Sequence, residues 1–143
     1  MAERLGQVGV LAQIYLGQIT KWNNNAIKKL NKKVKLPNRK ITVIYRSDGS
    51  GDTYAFTNYL SHVRSTWSSH VGTATLLQFP TGIQGKGNSG VTAVLANTNG
   101  GIAYVAASYL IQQGGHGAVA LQNAAGKYEY PNLVRTSRTR PSR

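Results

Sequence analysis

At 143 residues the chain is long enough for one domain with a real core. Seventeen Lys and Arg against four Asp and Glu give a formal net charge of +13, which favours small anions, anionic membranes or phosphate-rich polymers without choosing among them. With no cysteine, a disulfide framework and a thiolate metal site are both excluded, and no apolar run approaches the length of a membrane span.

Residues 1–9 give no firm element, and no signal-peptide h-region is legible there. Leu11, Ile14 and Tyr15 at helical spacing, with Gly17 behind them, predict a helix over 10–19. Trp22 follows as a core anchor. Asn23, Asn24 and Asn25 form a cap-and-turn cluster that opens a second helix over 26–30. Residues 21–40, from Lys21 to Lys40, hold eight bases and no acid. Such a run reads as a solvated face, with contact to a polyanion as the other reading.

Residues 41–45 (Ile-Thr-Val-Ile-Tyr) are β-branched and aromatic without a breaker, which predicts a short buried strand. Residues 46–52 form a polar turn, and from Thr53 the recurrence of Tyr54, Ala55, Tyr59 and Leu60, with Phe56 between, predicts a helix. A strand that meets a helix through Ser-Asp-Gly-Ser-Gly-Asp-Thr aims free N–H groups and a positive helix end at one spot, the makings of an anion site. Arg46 at the strand end adds a forked cation suited to a tetrahedral oxyanion. Asp48, two residues on, is placed to hold that guanidinium in one orientation, and Asp52 to cap the helix. The bland alternative is that Ser50 or Asp52 merely caps a helix. Against it, three hydroxyls, two glycines and half of the chain's acids crowd one turn.

Further along, 64–70 predicts a short helix or turn around Trp67, and 71–79 an extended segment closed by Pro80. Residues 85–90 (Gly-Lys-Gly-Asn-Ser-Gly) fit the spacing of a dinucleotide loop. That reading is set aside, because 80–84 is turn-like rather than a strand and no acid lies about twenty residues on to hold a ribose. A Walker A loop is absent too. Asn88 and Ser89 instead read as the cap of a helix over 90–96. A buried strand over 102–105 and a helix over 106–113 come next, then strands over 118–122 and 127–130 paired as a hairpin across 123–126. Alternating strands and helices predict an α/β layer on a small mixed sheet flanked by helices.

Catalysis finds no support. His62, His70 and His116 have no metal-ligand spacing, and a G-x-S-x-G elbow centred on Ser50 would need glycines where Asp48 and Asp52 stand. No catalytic residue, metal ligand or cofactor is expected; the chain reads as a binder.

The stretch Arg46-Ser-Asp-Gly-Ser-Gly-Asp-Thr-Tyr-Ala-Phe-Thr-Asn-Tyr-Leu60 resembles the phosphate-contacting loop of the substrate-binding proteins of bacterial phosphate ABC transporters. Further segments resemble that family in the same order: Leu11-Ala-Gln-Ile-Tyr-Leu-Gly-Gln-Ile-Thr-Lys-Trp-Asn23, Ala26-Ile-Lys-Lys-Leu-Asn31, Val71-Gly-Thr73, Pro80-Thr-Gly-Ile-Gln-Gly-Lys-Gly-Asn88 and Leu121-Gln-Asn-Ala-Ala-Gly-Lys127. The resemblance covers residues 8–131 and one of the family's two lobes. Beyond it, Arg135, Arg138, Arg140 and Arg143 without an acid read as a basic, disordered tail over 132–143. The resemblance implies a single lobe of a periplasmic-binding-protein type II-like fold over 1–131. It also implies non-catalytic binding of inorganic phosphate at 46–53. Arg46, Ser50, Gly51 and Asp52 would contact the anion, with Asp48, Gly49 and Thr53 in support. Implied partners are phosphate, a second lobe and a transporter permease, and the implied location is the periplasm or cell surface. Asp52 stands where many relatives have Thr, so a hydroxyl contact is lost there. Asn24-Asn25 stands where the family usually has Asp-Pro, and Ala106 where it usually has Glu. That shortage of acids motivates the alternative, a repurposed basic lobe that binds RNA or another polyanion through residues 21–40 and the tail arginines.

Overall fold

The computed structural model describes residues 9–33 and 35–105, together with the backbone of four short strands at 117–118, 121–122, 128–129 and 134–136. Helix α1 (Val10–Tyr15) buries Leu11, Ile14 and Tyr15, and is shorter than its apolar spacing predicts because the chain leaves it at Gly17, φ 80°. Helix α2 (Asn25–Leu30) starts where the asparagine cluster predicts: the Asn24 side chain accepts from the Ala26 N–H at 2.9 Å. Strand β1 (Thr42–Arg46) leads to α3 (Gly51–Val63) and α4 (Ser65–His70), the latter centred on the fully buried Trp67. Strand β2 (Ile83–Gly85), α5 (Gly87–Ala96) and β3 (Gly101–Tyr104) follow, then β4 (Gly117–Ala118), β5 (Leu121–Gln122), β6 (Tyr128–Glu129) and β7 (Val134–Thr136).

The main sheet runs β2-β1-β3-β7-β4. Strand β1 pairs parallel with both β2 and β3, while β7 is antiparallel to β3 and β4. Alternate residues of β1 and β3 feed two separate cores. Val43, Tyr45, Ile102 and Tyr104 join the cluster built with α1, Phe56, Leu60, Trp22 and Trp67. Ile44, Ala103 and Val105 join Val91 and Leu95 of α5 on the other face. Burial on both faces explains why these strands are apolar throughout rather than alternating.

Four expectations need correction. The segment 80–84, read as turn, contains part of β2, so a strand does enter the glycine-rich stretch. Its last residue pairs with Arg46, and a Cβ at Gly85 would lie 2.8 Å from the backbone of Val91, so only glycine lets α5 start this close. Helix α5 begins at Gly87, which puts Asn88 and Ser89 inside its first turn rather than at its cap. The strand expected over 118–122 is two pieces, of which β4 joins the main sheet and β5 pairs with β6 as the predicted hairpin. Finally, β7 falls within 132–143, so the sheet extends past the expected boundary at 131. The helix expected over 106–113 lies outside the described residues.

Candidate anion site

Parallel strands β1 and β2 end side by side, with the N-termini of α3 and α5 directly beyond them. In open sheets the crevice past the carboxyl ends of the strands is where ligands collect. Arg46 is the last residue of β1 and is only 8% exposed. Its Nε donates to Asp48 Oδ1 and its Nη2 to Asp48 Oδ2, both at 2.9 Å, a two-pronged brace. Nη1 is held far more loosely, 3.5 Å from Asn88 Oδ1 and 3.7 Å from Asp52 Oδ2. The guanidinium is thus fixed by one edge and presents the other.

Asp48 does a second job. Its Oδ1 accepts from the Gly87 N–H at 2.9 Å, tying the β1 loop to the start of α5. The Arg46 fork first, and the Gly87 N–H after it, hold the Asp48 carboxyl well below the usual carboxylate range. The hydrogen bond to Asp48 also raises Arg46, against the cost of its burial. Because the folded-state value of Asp48 is the depressed one, the brace contributes in full above the ordinary carboxylate range, about pH 4. It is lost only as pH falls through the folded value. A carboxyl-detected NMR titration should therefore show Asp48 still ionised where an ordinary aspartate is half protonated; a midpoint at the ordinary value would sink the brace.

Ser50 caps α3, its Oγ accepting from the N–H groups of Asp52 at 2.9 Å and Thr53 at 3.1 Å. The cap is Ser50, not Asp52. The Ser50 N–H is taken by the Thr75 carbonyl at 2.9 Å, so of its two expected donations only the hydroxyl remains available to an anion. The Asp52 N–H likewise spends its bond on Ser50. The Gly51 N–H has no hydrogen-bond partner among the described residues, and Gly49 lies beside Thr75. Thr53 supports from inside: it is 1% exposed, and its Oγ1 lies 2.8 Å from the Tyr104 hydroxyl.

Sequence reasoning missed Tyr104, Asn88, Gly87 and Thr75. Tyr104 carries the most weight, for its hydroxyl also accepts from the Arg46 N–H at 3.1 Å, and burial pushes that phenol up. A single hydroxyl thereby joins the end of β1 to the first turn of α3. Tyr104→Phe should leave two buried polar groups without a partner and lower stability by about 1–3 kcal/mol in thermal denaturation. An unchanged Tm would show the hydroxyl to be dispensable.

Among the described residues, no group of three or more His, Asp or Glu could hold a metal ion, and no helix is long and apolar enough to cross a membrane. The family model described as the PBP superfamily domain matches residues 7–139. Over 123 residues the chain is 46% identical to the phosphate-binding protein PstS of Xylella fastidiosa, a match spanning 86% of this chain and 34% of that protein. The same identity relates it to the phosphate-binding protein PstS of Pasteurella multocida (86% and 36%), and 43% over 129 residues to that of Methanocaldococcus jannaschii (85% and 33%). The chain spans about a third of the length of these curated relatives. With 133 of its 143 residues inside the matched region, counted inclusively from 7 to 139, the chain belongs to the PBP superfamily domain family.

Proposed function

We propose that the chain binds inorganic phosphate without catalysis, at the turn between β1 and α3. The observation that carries this reading is the Arg46 guanidinium, braced along one edge by Asp48 and open along Nη1 beside the N-terminus of α3. The Gly51 N–H, the Ser50 hydroxyl and the positive end of a 13-residue helix supply further attraction for an anion. Relatives at 46% identity named as phosphate-binding proteins make phosphate the first oxyanion to test. Asp52, with its carboxylate 3.7 Å from Nη1, repels a fully ionised guest and accepts a hydrogen bond from one that keeps a proton. Phosphate keeps one near neutral pH and sulfate does not.

In the full-length protein we infer that a second lobe closes over this turn, in a solute-binding protein that serves phosphate uptake at the periplasm or cell surface and hands its cargo to a permease. The lobe by itself should bind weakly, because charge pairs open to water are worth little. The test is calorimetric titration with phosphate, with sulfate as control. Saturable heat with phosphate and less with sulfate is expected; no heat up to millimolar phosphate would overturn the reading. The alternative of an RNA module has less behind it, since Trp22 and Trp67 are fully buried and offer no stacking platform beside the lysines.

A further inference from the structure

One end of the sheet gathers nearly half of the chain's bases. Eight of its seventeen bases fall between Lys21 and Lys40, and within that stretch there is no acid. All seven lysines there are exposed, and Arg39 is half-buried. None of the eight forms an ion pair among the described residues, whose salt bridges all belong to Arg46. Lys21 Nζ donates to Asn38 Oδ1 at 3.2 Å and Arg39 Nη1 to Asn99 Oδ1, both neutral acceptors. The two acids with described side chains, Asp48 and Asp52, both sit in the anion turn.

This basic segment is fastened to the N-terminal edge of the sheet. The Ile41 N–H donates to the Thr20 carbonyl at 2.8 Å, the Trp22 N–H to Arg39 at 2.9 Å, and Trp22 Nε1 to the Gly100 carbonyl just before β3 at 2.8 Å. The anion turn leaves the opposite end of β1, about 13 Å further along the strand at roughly 3.3 Å per residue. An occupant of the basic edge therefore leaves the turn uncovered.

The composition of the edge narrows the occupant. Among the described residues, the exposed large apolar side chains, Tyr54, Leu76 and Ile83, all lie outside residues 21–40, and Trp22 is fully buried. Neither base stacking nor an acyl-chain wedge is on offer there. The one arginine already bonds Asn99, leaving compact ammonium groups as the charges presented. Stacking platforms and arginine forks are what single-stranded nucleic-acid sites rely on. Dispersed lysines need only a dense sheet of negative charge.

We propose that the Lys21–Lys40 edge docks the chain on an anionic phospholipid surface, with the anion turn facing away into solution. The inference does not depend on which anion the turn binds. The test is co-sedimentation of the full chain with phosphatidylglycerol-containing vesicles, with pure phosphatidylcholine vesicles as control. The chain should bind only the anionic vesicles and be released by added salt. Neutralising Lys28→Gln, Lys29→Gln and Lys33→Gln together should weaken partitioning on the order of 100-fold at low salt, since each lysine near such a surface contributes about five-fold. A control with the same charge change, Arg138→Gln, Arg140→Gln and Arg143→Gln, should lose only a few-fold. Equal losses in the two triple variants would mean that net charge alone governs adsorption, and would overturn the proposal. So would release of the protein from vesicles by an equimolar single-stranded oligonucleotide, which would make nucleic acid the better partner. Matching melting temperatures for the variants and the parent would rule out misfolding as the cause of any loss.

Discussion

Arg46→Ala is expected to abolish measurable phosphate binding while leaving the fold in place. A hydrogen bond to a charged group contributes about 1.5–3 kcal/mol, and the lower bound alone is roughly a ten-fold loss of an affinity that is already weak. Here the loss is compounded by what stays behind. Asp48 keeps the Gly87 N–H, yet both carboxylates of the turn then face the incoming anion with no cation between them. The local balance of formal charge goes from one cation against two anions to two anions alone. What remains is the helix end and the Gly51 N–H, against a repulsion that the guanidinium no longer offsets. Arg46→Lys separates charge from geometry. A lysine restores the cation but cannot span both Asp48 oxygens, so binding should return only in part. Calorimetry on the two variants, with the parent as reference, decides the matter. If Arg46→Ala binds phosphate as the parent does, the anion is held somewhere other than this turn.

The half of the site that was legible is the half that is contiguous. Arg46, Asp48, Ser50 and Thr53 lie within eight residues, and the change from a β-branched run to helical spacing marks where strand gives way to helix. Donor-rich side chains crowded at that junction can be read without knowing the fold. The other half comes from elsewhere in the chain through sheet register. Gly87 and Asn88 arrive because Arg46 pairs with Gly85, and Tyr104 because β3 lies beside β1. No local pattern encodes those pairings. Strand β2 escaped notice for a related reason. Ile-Gln-Gly behind Pro80 and Gly82 reads as turn, and at a sheet edge with two of its three residues exposed it has little hydrophobic signal to show. The strand at Val134–Thr136 was hidden among arginines and threonines, where composition says tail and backbone pairing says sheet. Trp22, by contrast, was a core residue on either reading, whereas the burial of Trp67 had no signal among its polar neighbours.

Trp22→Ala should produce the largest loss of stability, about 3–5 kcal/mol, as for other buried aromatic truncations. Trp22 is fully buried in the cluster that also holds Tyr15, Ile27 and Ile102, so its removal leaves a cavity in that core. It is also the pin between the basic segment and the strand edge, through its N–H to Arg39 and its Nε1–H to Gly100. Trp22→Phe tells packing from pinning. Phenylalanine refills most of the volume but gives no donor to the Gly100 carbonyl. That carbonyl still accepts from the Thr42 N–H at 3.2 Å, so no buried acceptor is orphaned. A hydrogen bond of this kind contributes a net of about 1 kcal/mol, and the phenylalanine variant should therefore recover most of what alanine loses. Chemical denaturation of the three proteins measures both quantities. Equal losses for alanine and phenylalanine would mean that the indole N–H, rather than the filled volume, holds the edge together. In either variant, phosphate affinity per folded molecule should stay close to that of the parent, because the anion turn lies at the other end of β1.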